Sequence, residues 1–452
     1  MTRRRPEDNV VALPTPPQLR RVLGLAEVTS GGVGIIIGAG LYVLVGAAAA
    51  EAGATVWLAF LLAAVLSFLT GMSYMELASM FPSAAGEYEY TRRAFPELVA
   101  FLVGWIMVVG LVVAAAAISL GFARYLGYFF DLDVRLGAVC LLALVSFIAA
   151  TGIKESARLT MALSVVQVGG LLFVIVIGVP HIGQQNLLQS TGITGVVGAA
   201  ALVFFAFIGF DEVITLSEET ENPTRTVPLA LALALGLSTI LYVAVSIAAV
   251  SVLGASALGA SERPLADVIG HAIGGRGAEV MAGLAVITTT NTTLLAVTAA
   301  SRLLYGMASQ GSLPSSLAAV NKERQTPTSA ILFASGVATL FVLFRDLKLV
   351  ASVTDFAVYL VFLAVNGTVL VLRFKMPEHS RAFSIPGRIG LVPVVPILGI
   401  AAVLIMMAQL DFAAVGVGFV LLGLGLLVYF ALPTTGTVLR GKGSTPARER
   451  GK

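Results

Sequence analysis

The sequence predicts an all-α integral membrane protein of about twelve transmembrane helices, in which two five-helix repeats of inverted topology precede two further helices. Three observations predict this fold: the scarcity of charge, a series of long apolar runs, and interruptions at corresponding places in the first and sixth runs. Of the 452 residues, 58% are hydrophobic and 12% are charged, whereas soluble domains carry roughly 25% charged residues. The low charged fraction is explained if most of the chain lies in the lipid bilayer, which does not hydrate charged side chains.

Twelve apolar runs approach the length of roughly 20 residues that a helix needs to cross a bilayer. Their predicted limits are 27–50, 55–80, 98–121, 134–151, 159–179, 194–217, 228–253, 278–307, 328–344, 349–372, 391–409 and 412–432. The corresponding organisation is an N-terminal tail (1–24), a first repeat (25–182), a second repeat (190–375), the last two helices (388–432) and a C-terminal tail (433–452).

The distribution of basic residues predicts the orientation of these spans. Most of the 28 Lys and Arg residues fall on the side of the two termini. The other side receives Arg124, Arg135, Arg263, Arg276, Arg345 and Lys348. Because cytoplasmic loops are enriched in Lys and Arg, both termini are predicted to be cytoplasmic, in a multi-pass protein of the cell membrane. The basic pI of about 9.0 therefore reflects topology and indicates no nucleic-acid partner.

Catalytic and metal chemistry are not indicated by the sequence. Cys140 is the one cysteine and lies in an apolar run, and His181, His271 and His379 are too far apart for metal-ligand spacing. No nucleophile–base pair stands out. The prediction is a protein that is not an enzyme and that holds neither a cofactor nor a metal.

The first span contains five glycines within residues 31–40 (GGVGIIIGAG). Each glycine costs a helix about 1 kcal/mol of propensity, and the spacing does not fit a dinucleotide-binding fingerprint. One alternative is close helix packing through Gly34 and Gly38, which form a GxxxG pair. The glycines surround the helix instead of lining one face, which favours a break.

The sixth span has its own interruption at residues 204–212 (FFAFIGFDE), where Gly209 precedes Asp211 and Glu212. Carboxylates at this depth are costly and are usually functional or paired. The alternative is that both simply cap or brace the broken helix. Interrupted spans at matching positions of inverted repeats indicate a binding site near the bilayer midplane.

The direction of each span predicts what its break offers to a ligand. The outer half of the first span begins with amide groups that attract an anion such as a carboxylate. Carbonyl groups at the end of its inner half and in the sixth span suit an ammonium group, so the two breaks together suit a zwitterion. The predicted substrate-binding residues are Ile36, Ile37, Gly38, Ala39, Gly40, Phe205, Ala206, Phe207, Ile208 and Gly209.

Several segments resemble one transporter superfamily. Residues 32–42 (GVGIIIGAGLY) are similar to the first-helix signature of the amino acid–polyamine–organocation superfamily. Residues 204–228 are a closer match to the cationic amino acid transporter branch and its bacterial relatives, and residues 76–90 and 301–314 resemble the loop after span two and the end of span eight. The resemblance implies a LeuT-like fold and transport of an amino acid by alternating access.

The resemblance also implies a gate and a coupling ion. Phe210 falls near the aromatic gate position, with Asp211 beside it, and Gln167 falls where several bacterial relatives carry a lysine. An amide does not exchange a proton near neutral pH, so lysine-linked proton coupling is not expected here. The threonine-rich run 288–293 offers oxygens for a cation, although such hydroxyls commonly bond the preceding turn. The candidate residues for a proton or sodium site are Gln167, Thr289, Thr292 and Thr293.

Two other classes of function are weighed against amino acid transport. A polyamine or other organic-cation carrier of the same fold would not need the carboxylate site and would favour acidic residues, of which Asp211 and Glu212 are the candidates. The other class is an ion channel or nutrient-sensing receptor. A channel needs a continuous polar-lined path, and no predicted span shows a helical stripe of polar residues.

Overall fold

The computed structural model describes residues 23–81, 86–151, 153–321, 324–344 and 346–431, and both predicted tails lie almost wholly outside these ranges. The α-helices in this part are α1 Leu25–Ile36, α2 Gly40–Ala52, α3 Val56–Met80, α4 Gly86–Ala94, α5 Glu97–Leu126, α6 Val134–Thr151, α7 Ile153–Gly178, α8 Ile193–Val203, α9 Pro223–Leu253, α10 Ala255–Ala260, α11 Pro264–Ile273, α12 Gly275–Ser309, α13 Thr328–Val342, α14 Leu347–Lys375, α15 Val394–Met407 and α16 Phe412–Ala431. Short 3₁₀ helices cover Val179–His181, Phe204–Phe207, Asp211–Glu218 and Ser315–Ala318, and β1 Arg388–Ile389 pairs antiparallel with β2 Val392–Pro393.

The all-α membrane class is confirmed by helix length and hydropathy. Within the described ranges, nine helices are long and apolar enough to cross a bilayer, and the bent pair α1–α2 raises the number to ten when it is taken as one span. The shorter apolar helices α13 and α15 lie where the ninth and eleventh spans are predicted. The total of twelve spans and the inverted repeat stay predictions.

The helix α5 is the main packing support of the bundle, with α6, α12 and α14 packed against it. Its middle section from Ala114 to Ala117 is buried and consists of alanine only. A Cβ atom on Gly110 would lie 3.3 Å from the Cβ atom of Ala357 in α14. Small residues at helix contacts permit this close approach of the backbones in a membrane protein.

One end of the bundle, which the predicted topology places in the cytoplasm and which we call the inner end, is closed by a buried ion cluster. The Glu76 carboxylate in α3 lies 2.5 Å from the Arg373 guanidinium of α14 and 3.1 Å from that of Arg381. It also accepts a hydrogen bond of 2.9 Å from the amide of Ile385. These contacts fix the segment after α14 to the end of α3.

Candidate functional site

The first span is broken where the glycine-rich run predicts a break. The helix α1 ends at Ile36 and α2 begins at Gly40, with a bend of 49° between their axes. Within the break, the Gly38 amide donates to the Ile36 carbonyl over 2.7 Å, and the Ala39 amide donates to Thr292 Oγ1 of α12 over 3.0 Å. The helix α2 therefore begins at the residues where the sequence predicts the amide groups of an anion site.

The sixth span is broken over the predicted residues as well. The helix α8 ends at Val203 and gives way to a 3₁₀ turn, after which Gly209 adopts a φ of +108°. Glycine is the residue that adopts this conformation without steric cost. The Asp211 carboxylate accepts a hydrogen bond of 3.2 Å from the Gly209 amide. Asp211 thus braces the turn, as the alternative interpretation of this carboxylate predicts.

The two breaks lie in direct contact. A Cβ atom on Gly40 would stand only 2.5 Å from the Cα atom of Ala206, and one on Gly209 would stand 3.3 Å from Ile35 Cγ2. Gly40 is therefore needed for the approach of two backbones. The structure brings the predicted substrate-binding residues of both spans to one place in the bundle.

The carbonyl groups of the two breaks converge on one point, which Tyr242 of α9 occupies with its hydroxyl. This oxygen lies 2.7 Å from the Ile36 carbonyl oxygen and 2.8 Å from the Ala206 carbonyl oxygen. A hydroxyl has one proton to donate, whereas an ammonium group has three. Each carbonyl oxygen has a second lone pair, so the two carbonyls can also accept hydrogen bonds from an ammonium group beside the hydroxyl.

The remaining predicted residues of the second break hold the turn together. The Phe205 carbonyl accepts a hydrogen bond of 3.3 Å from the Ile208 amide. The Phe207 ring packs against Tyr242 with ring centroids 5.1 Å apart. Ala206 therefore supplies the carbonyl that faces the first break, while Phe205, Phe207 and Ile208 shape the turn that presents it.

Replacing Tyr242 with phenylalanine tests this bridge. We expect Tyr242→Phe to lower amino acid uptake about tenfold, because a buried carbonyl without a partner costs roughly 1–3 kcal/mol and 1.4 kcal/mol corresponds to a factor of ten. The initial rate of uptake into proteoliposomes measures the effect. Tyr429→Phe, at a ring that packs against Phe101 at the periphery, is the matched control. Equal rates for both variants would contradict a role of the Tyr242 hydroxyl.

Gln167 of α7 joins the first break to α12. Its Nε2 donates to the Ile37 carbonyl over 2.7 Å, and its Oε1 accepts from Asn291 Nδ2 over 2.6 Å. The side chain is 1% exposed. Position 167 is thus filled by a neutral amide that is engaged on both sides.

The threonine run of α12 is divided between two roles. Thr289 and Thr293 donate to the carbonyls of Ala285 and Thr289 in their own helix, over 2.7 and 2.8 Å. Thr292 donates to Thr288 in the same way but also accepts the Ala39 amide of the first break. Thr292 and Gln167 are therefore the two candidate coupling residues that contact the break. The cation site stays a prediction.

Aromatic rings cover the second break on the side of α14. The Phe210 ring packs edge-on against Tyr74 with centroids 5.5 Å apart and against Phe362 at 5.3 Å. The Phe204 ring contacts Phe362 and Tyr359 at 5.4 and 4.9 Å. Phe210, the predicted gate residue, is completely buried in this layer.

Glu87 of α4 lies close to the carboxylate of Asp211. Desolvation, together with the negative charge of Asp211, raises the pKa of Glu87 to about 8. The break is therefore bordered by a carboxyl group whose ionised form is disfavoured.

The opposite end of the bundle, which the predicted topology places outside the cell and which we call the outer end, contains a polar cavity of about 320 Å³. Lys348 Nζ lies 2.6 Å from the Glu51 carboxylate and 3.6 Å from that of Asp411. The cavity is lined by Glu51, Thr194, Gly198, Leu202, Lys348, Ser352, Gln409, Leu410 and Asp411.

Tyr242 was missed by the sequence analysis, and Asn291 was included only as a member of the run 288–293. Tyr242 and Asn291 each have one signal in the sequence, which is a hydrogen-bonding side chain inside an apolar span. Their partners are distant in sequence: Tyr242 is 206 residues from Ile36, and Asn291 is 124 residues from Gln167. The sequence shows that such a side chain needs a partner but does not show which one.

Fold and site together define a multi-pass helical membrane protein in which the backbone groups of two broken helices face each other inside an apolar bundle. Unpaired backbone groups are tolerated at this depth only beside a cavity, a ligand or another protein group. This architecture is typical of transporters that bind small solutes. The chain belongs to the amino acid permease family, whose family model matches residues 23–430.

Individual relatives support this assignment and the predicted superfamily. The chain is 31% identical to a branched-chain amino acid permease of Bacillus subtilis, over 94% of this chain and 95% of that protein. It is 30% identical to a methylthioribose transporter of the same organism, over 95% and 96% of the two chains. It is also 30% identical to a vacuolar cationic amino acid transporter of Arabidopsis thaliana, over 84% and 68%. These relatives are transporters and not enzymes, as the sequence predicts.

Proposed function

We propose that this chain is a secondary active transporter that moves amino acids across the cell membrane by alternating access. The observation that carries the proposal is the convergence of the Ile36 and Ala206 carbonyls on one point, 2.7 and 2.8 Å from the Tyr242 hydroxyl oxygen. In the proposed function the α-ammonium group of the substrate binds the second lone pair of each of these carbonyl oxygens, beside the Tyr242 hydroxyl. The ligand lies at the midplane, between the two breaks.

The α-carboxylate is assigned to the amide groups at the start of α2. Gly38, Ala39 and Gly40 bring the first amides of this helix to the break, and the carboxylate takes the place of the Ile36 carbonyl on the Gly38 amide and of Thr292 on the Ala39 amide. A helix N-terminus favours a negative charge through both its free amides and its dipole. The amides at the start of α2 then bind the carboxylate, and the carbonyls of the two breaks bind the ammonium group. These are the two groups that all α-amino acids share.

The aromatic layer beside the second break favours a substrate with an apolar side chain. Phe204, Phe207, Phe210 and Phe362 are all nearly or completely buried there. Moving an apolar side chain from water into such surroundings lowers its free energy. The name of the Bacillus subtilis branched-chain amino acid permease is consistent with this preference.

The twelve-span topology with cytoplasmic termini belongs to the same proposal. The positive-inside bias supports it, as does the position of α13 and α15 at the ninth and eleventh predicted spans. In this orientation the Glu51–Lys348–Asp411 cavity opens to the outside. The Glu76 cluster then closes the cytoplasmic end.

Uptake by the purified protein in liposomes, with a panel of radiolabelled amino acids, tests the proposal. Proton and sodium gradients are imposed in turn, and protein-free liposomes give the background. We expect uptake of leucine or another apolar amino acid above background, and competition by unlabelled substrate. Failure to take up or exchange any amino acid would overturn the proposal.

A carrier for polyamines or other organic cations is the second candidate, and the same assay separates it from the first. Putrescine has ammonium groups but no carboxylate, and leucine ethyl ester has an ammonium group with its carboxylate blocked. An amino acid transporter is expected to discriminate against both compounds. Transport of putrescine without transport of any amino acid would establish the second candidate.

A further inference from the structure

Asp355 in α14 is a fully buried carboxyl group that the substrate site does not use. Its exposed fraction is 0%, and neither carboxylate oxygen has a hydrogen-bond partner among the residues that the structure describes. An unpaired ionised carboxylate is far more costly to bury than a protonated one. The ionised form of Asp355 therefore has no stabilising partner among the described residues.

The helices packed against this part of α14 offer no positive charge to stabilise an ionised Asp355. The helices α8 and α15 carry no ionisable side chain. The ionisable groups of the other neighbours lie at helix ends or toward the inner end, and they are Tyr74 and Glu76 of α3, Glu87, Tyr88, Glu89, Tyr90, Arg92 and Arg93 of α4, Glu97, Arg124 and Tyr125 of α5, and Tyr429 of α16. On its own helix, Tyr359 lies one turn further along on the same face, and the titratable Lys348 of the outer cavity lies two turns earlier.

Asp355 lies between the outer cavity and the second break. Ser352, Asp355, Tyr359 and Phe362 share one face of α14, because residues three and four apart are neighbours on a helix. Ser352 lines the outer cavity. Tyr359 donates to the Ala201 carbonyl of α8 over 3.0 Å and packs against Phe204 at the break. One turn of helix thus separates Asp355 from the polar cavity, and one turn separates it from a side chain bonded to the broken span.

We propose that Asp355 is the site at which the coupling proton binds. The proposal rests on the proposed transport function and names its driving ion. One proton from the water of the outer cavity binds a carboxylate oxygen of Asp355 when the carrier loads substrate from outside. It leaves to the cytoplasm with one substrate molecule, and the reset carrier returns to the outside. The amide of Gln167 cannot exchange a proton and therefore does not fill this role.

Asp355→Asn is the decisive variant, because asparagine matches the shape of a protonated aspartate but does not titrate. Two assays are run on the purified protein in liposomes with the panel of radiolabelled amino acids. The first assay measures exchange against internal unlabelled amino acid at equal pH. The second measures accumulation driven by an acidic exterior with the membrane potential clamped, where a gradient of one pH unit supports about tenfold accumulation per proton.

We expect Asp355→Asn to lose this accumulation while its exchange rate stays within about threefold of wild type, since the buried group loses no hydrogen bond. Asp355→Glu, which restores a titratable carboxyl, is expected to accumulate substrate with a shifted pH profile. Thr354→Val, at a buried neighbour that bonds only the Val350 carbonyl among described groups, is the packing control and is expected to keep both activities. Glu87→Gln removes another carboxyl near the break and is expected to keep the response to the gradient.

Four results would overturn the proposal when Asp355→Asn folds, and a fifth applies when it does not. The first is accumulation by Asp355→Asn equal to that of wild type, and the second is loss of exchange together with accumulation in a monodisperse Asp355→Asn protein. The third is loss of the gradient response in Glu87→Gln alone, which would move the proton site to Glu87. The fourth is exchange by the wild-type protein without any response to the proton gradient. This result refutes the proposed role of Asp355 but is compatible with the transport function. Absence of both exchange and uptake in wild type refutes the transport function itself. If Asp355→Asn does not fold, the pH profile of Asp355→Glu decides, and a profile identical to wild type refutes the proposal.

Discussion

Gly40→Ala is expected to lower amino acid uptake by about 100-fold, the loss that a displacement of about 1 Å causes where function depends on geometry. The added Cβ atom would lie 2.5 Å from the Cα atom and 2.9 Å from the Cβ atom of Ala206. A flexible side chain could move aside, but the Ala206 backbone is held by its place in the second break. The two breaks must therefore separate, which moves the carbonyls of Ile36 and Ala206 apart. The initial rate of uptake by proteoliposomes measures the loss.

Gly236→Ala is the matched control for this variant. Gly236 also lies inside a membrane helix, α9, and a Cβ atom there would have no described heavy atom within 4 Å beyond its own helix and chain neighbours. Uptake by Gly236→Ala is expected to equal that of wild type, and the helix gains the roughly 1 kcal/mol by which alanine exceeds glycine in propensity. Wild-type uptake by Gly40→Ala would show that contact between the breaks is not needed for transport.

The positions of both breaks could be predicted because their causes are local. Glycines and carboxylates within an apolar run violate the composition of a continuous membrane helix, and such a violation is visible in one dimension. The bend between α1 and α2 and the positive φ of Gly209 lie within the predicted segments. The predicted groups at the first break also follow from chain direction alone, since a helix that starts at Gly40 must present amides there.

The partners within the site could not be predicted, because they depend on which helices are neighbours. Nothing in the apolar run around Tyr242 indicates that its hydroxyl reaches Ile36 and Ala206 at once. Gln167 was selected by its alignment with a lysine, yet its bonds to Ile37 and Asn291 required the packing of α7 between α1 and α12. Asp355 was not selected at all, although a carboxyl group inside an apolar span is itself a signal.

The ends of the shorter apolar spans could not be predicted from the sequence either. The predicted limits 328–344 and 391–409 exceed the observed helices Thr328–Val342 and Val394–Met407. Hydropathy does not distinguish a helix from the apolar turns at its ends. Residues 391–393 illustrate this, because Val392 and Pro393 belong to the small strand β2 instead of the helix. A span boundary predicted from hydropathy therefore includes these turns wherever no charged residue marks the end of the helix.

Glu76→Gln is expected to destabilise the protein by about 3–5 kcal/mol, the cost of removing one partner from a buried ion pair. The side chains of Arg373 and Arg381 are only 6% and 8% exposed, so the variant leaves two guanidinium groups without their carboxylate in a setting that excludes water. Glutamine retains the shape and one acceptor oxygen, which separates the effect of charge from that of packing. Thermal unfolding of the detergent-solubilised protein measures the change.

Glu97→Gln controls for the loss of a carboxylate near the same end of the bundle. Glu97 is exposed in the first turn of α5, and surface substitutions usually change stability by no more than about 0.5 kcal/mol. A Glu76→Gln protein as stable as Glu97→Gln would show that the cluster does not hold the inner end closed. The double variant Glu76→Gln with Arg373→Met adds a sharper test, because it removes one of the two stranded charges. It is expected to lose less stability than the sum of the two single variants, since residues in direct contact do not act additively.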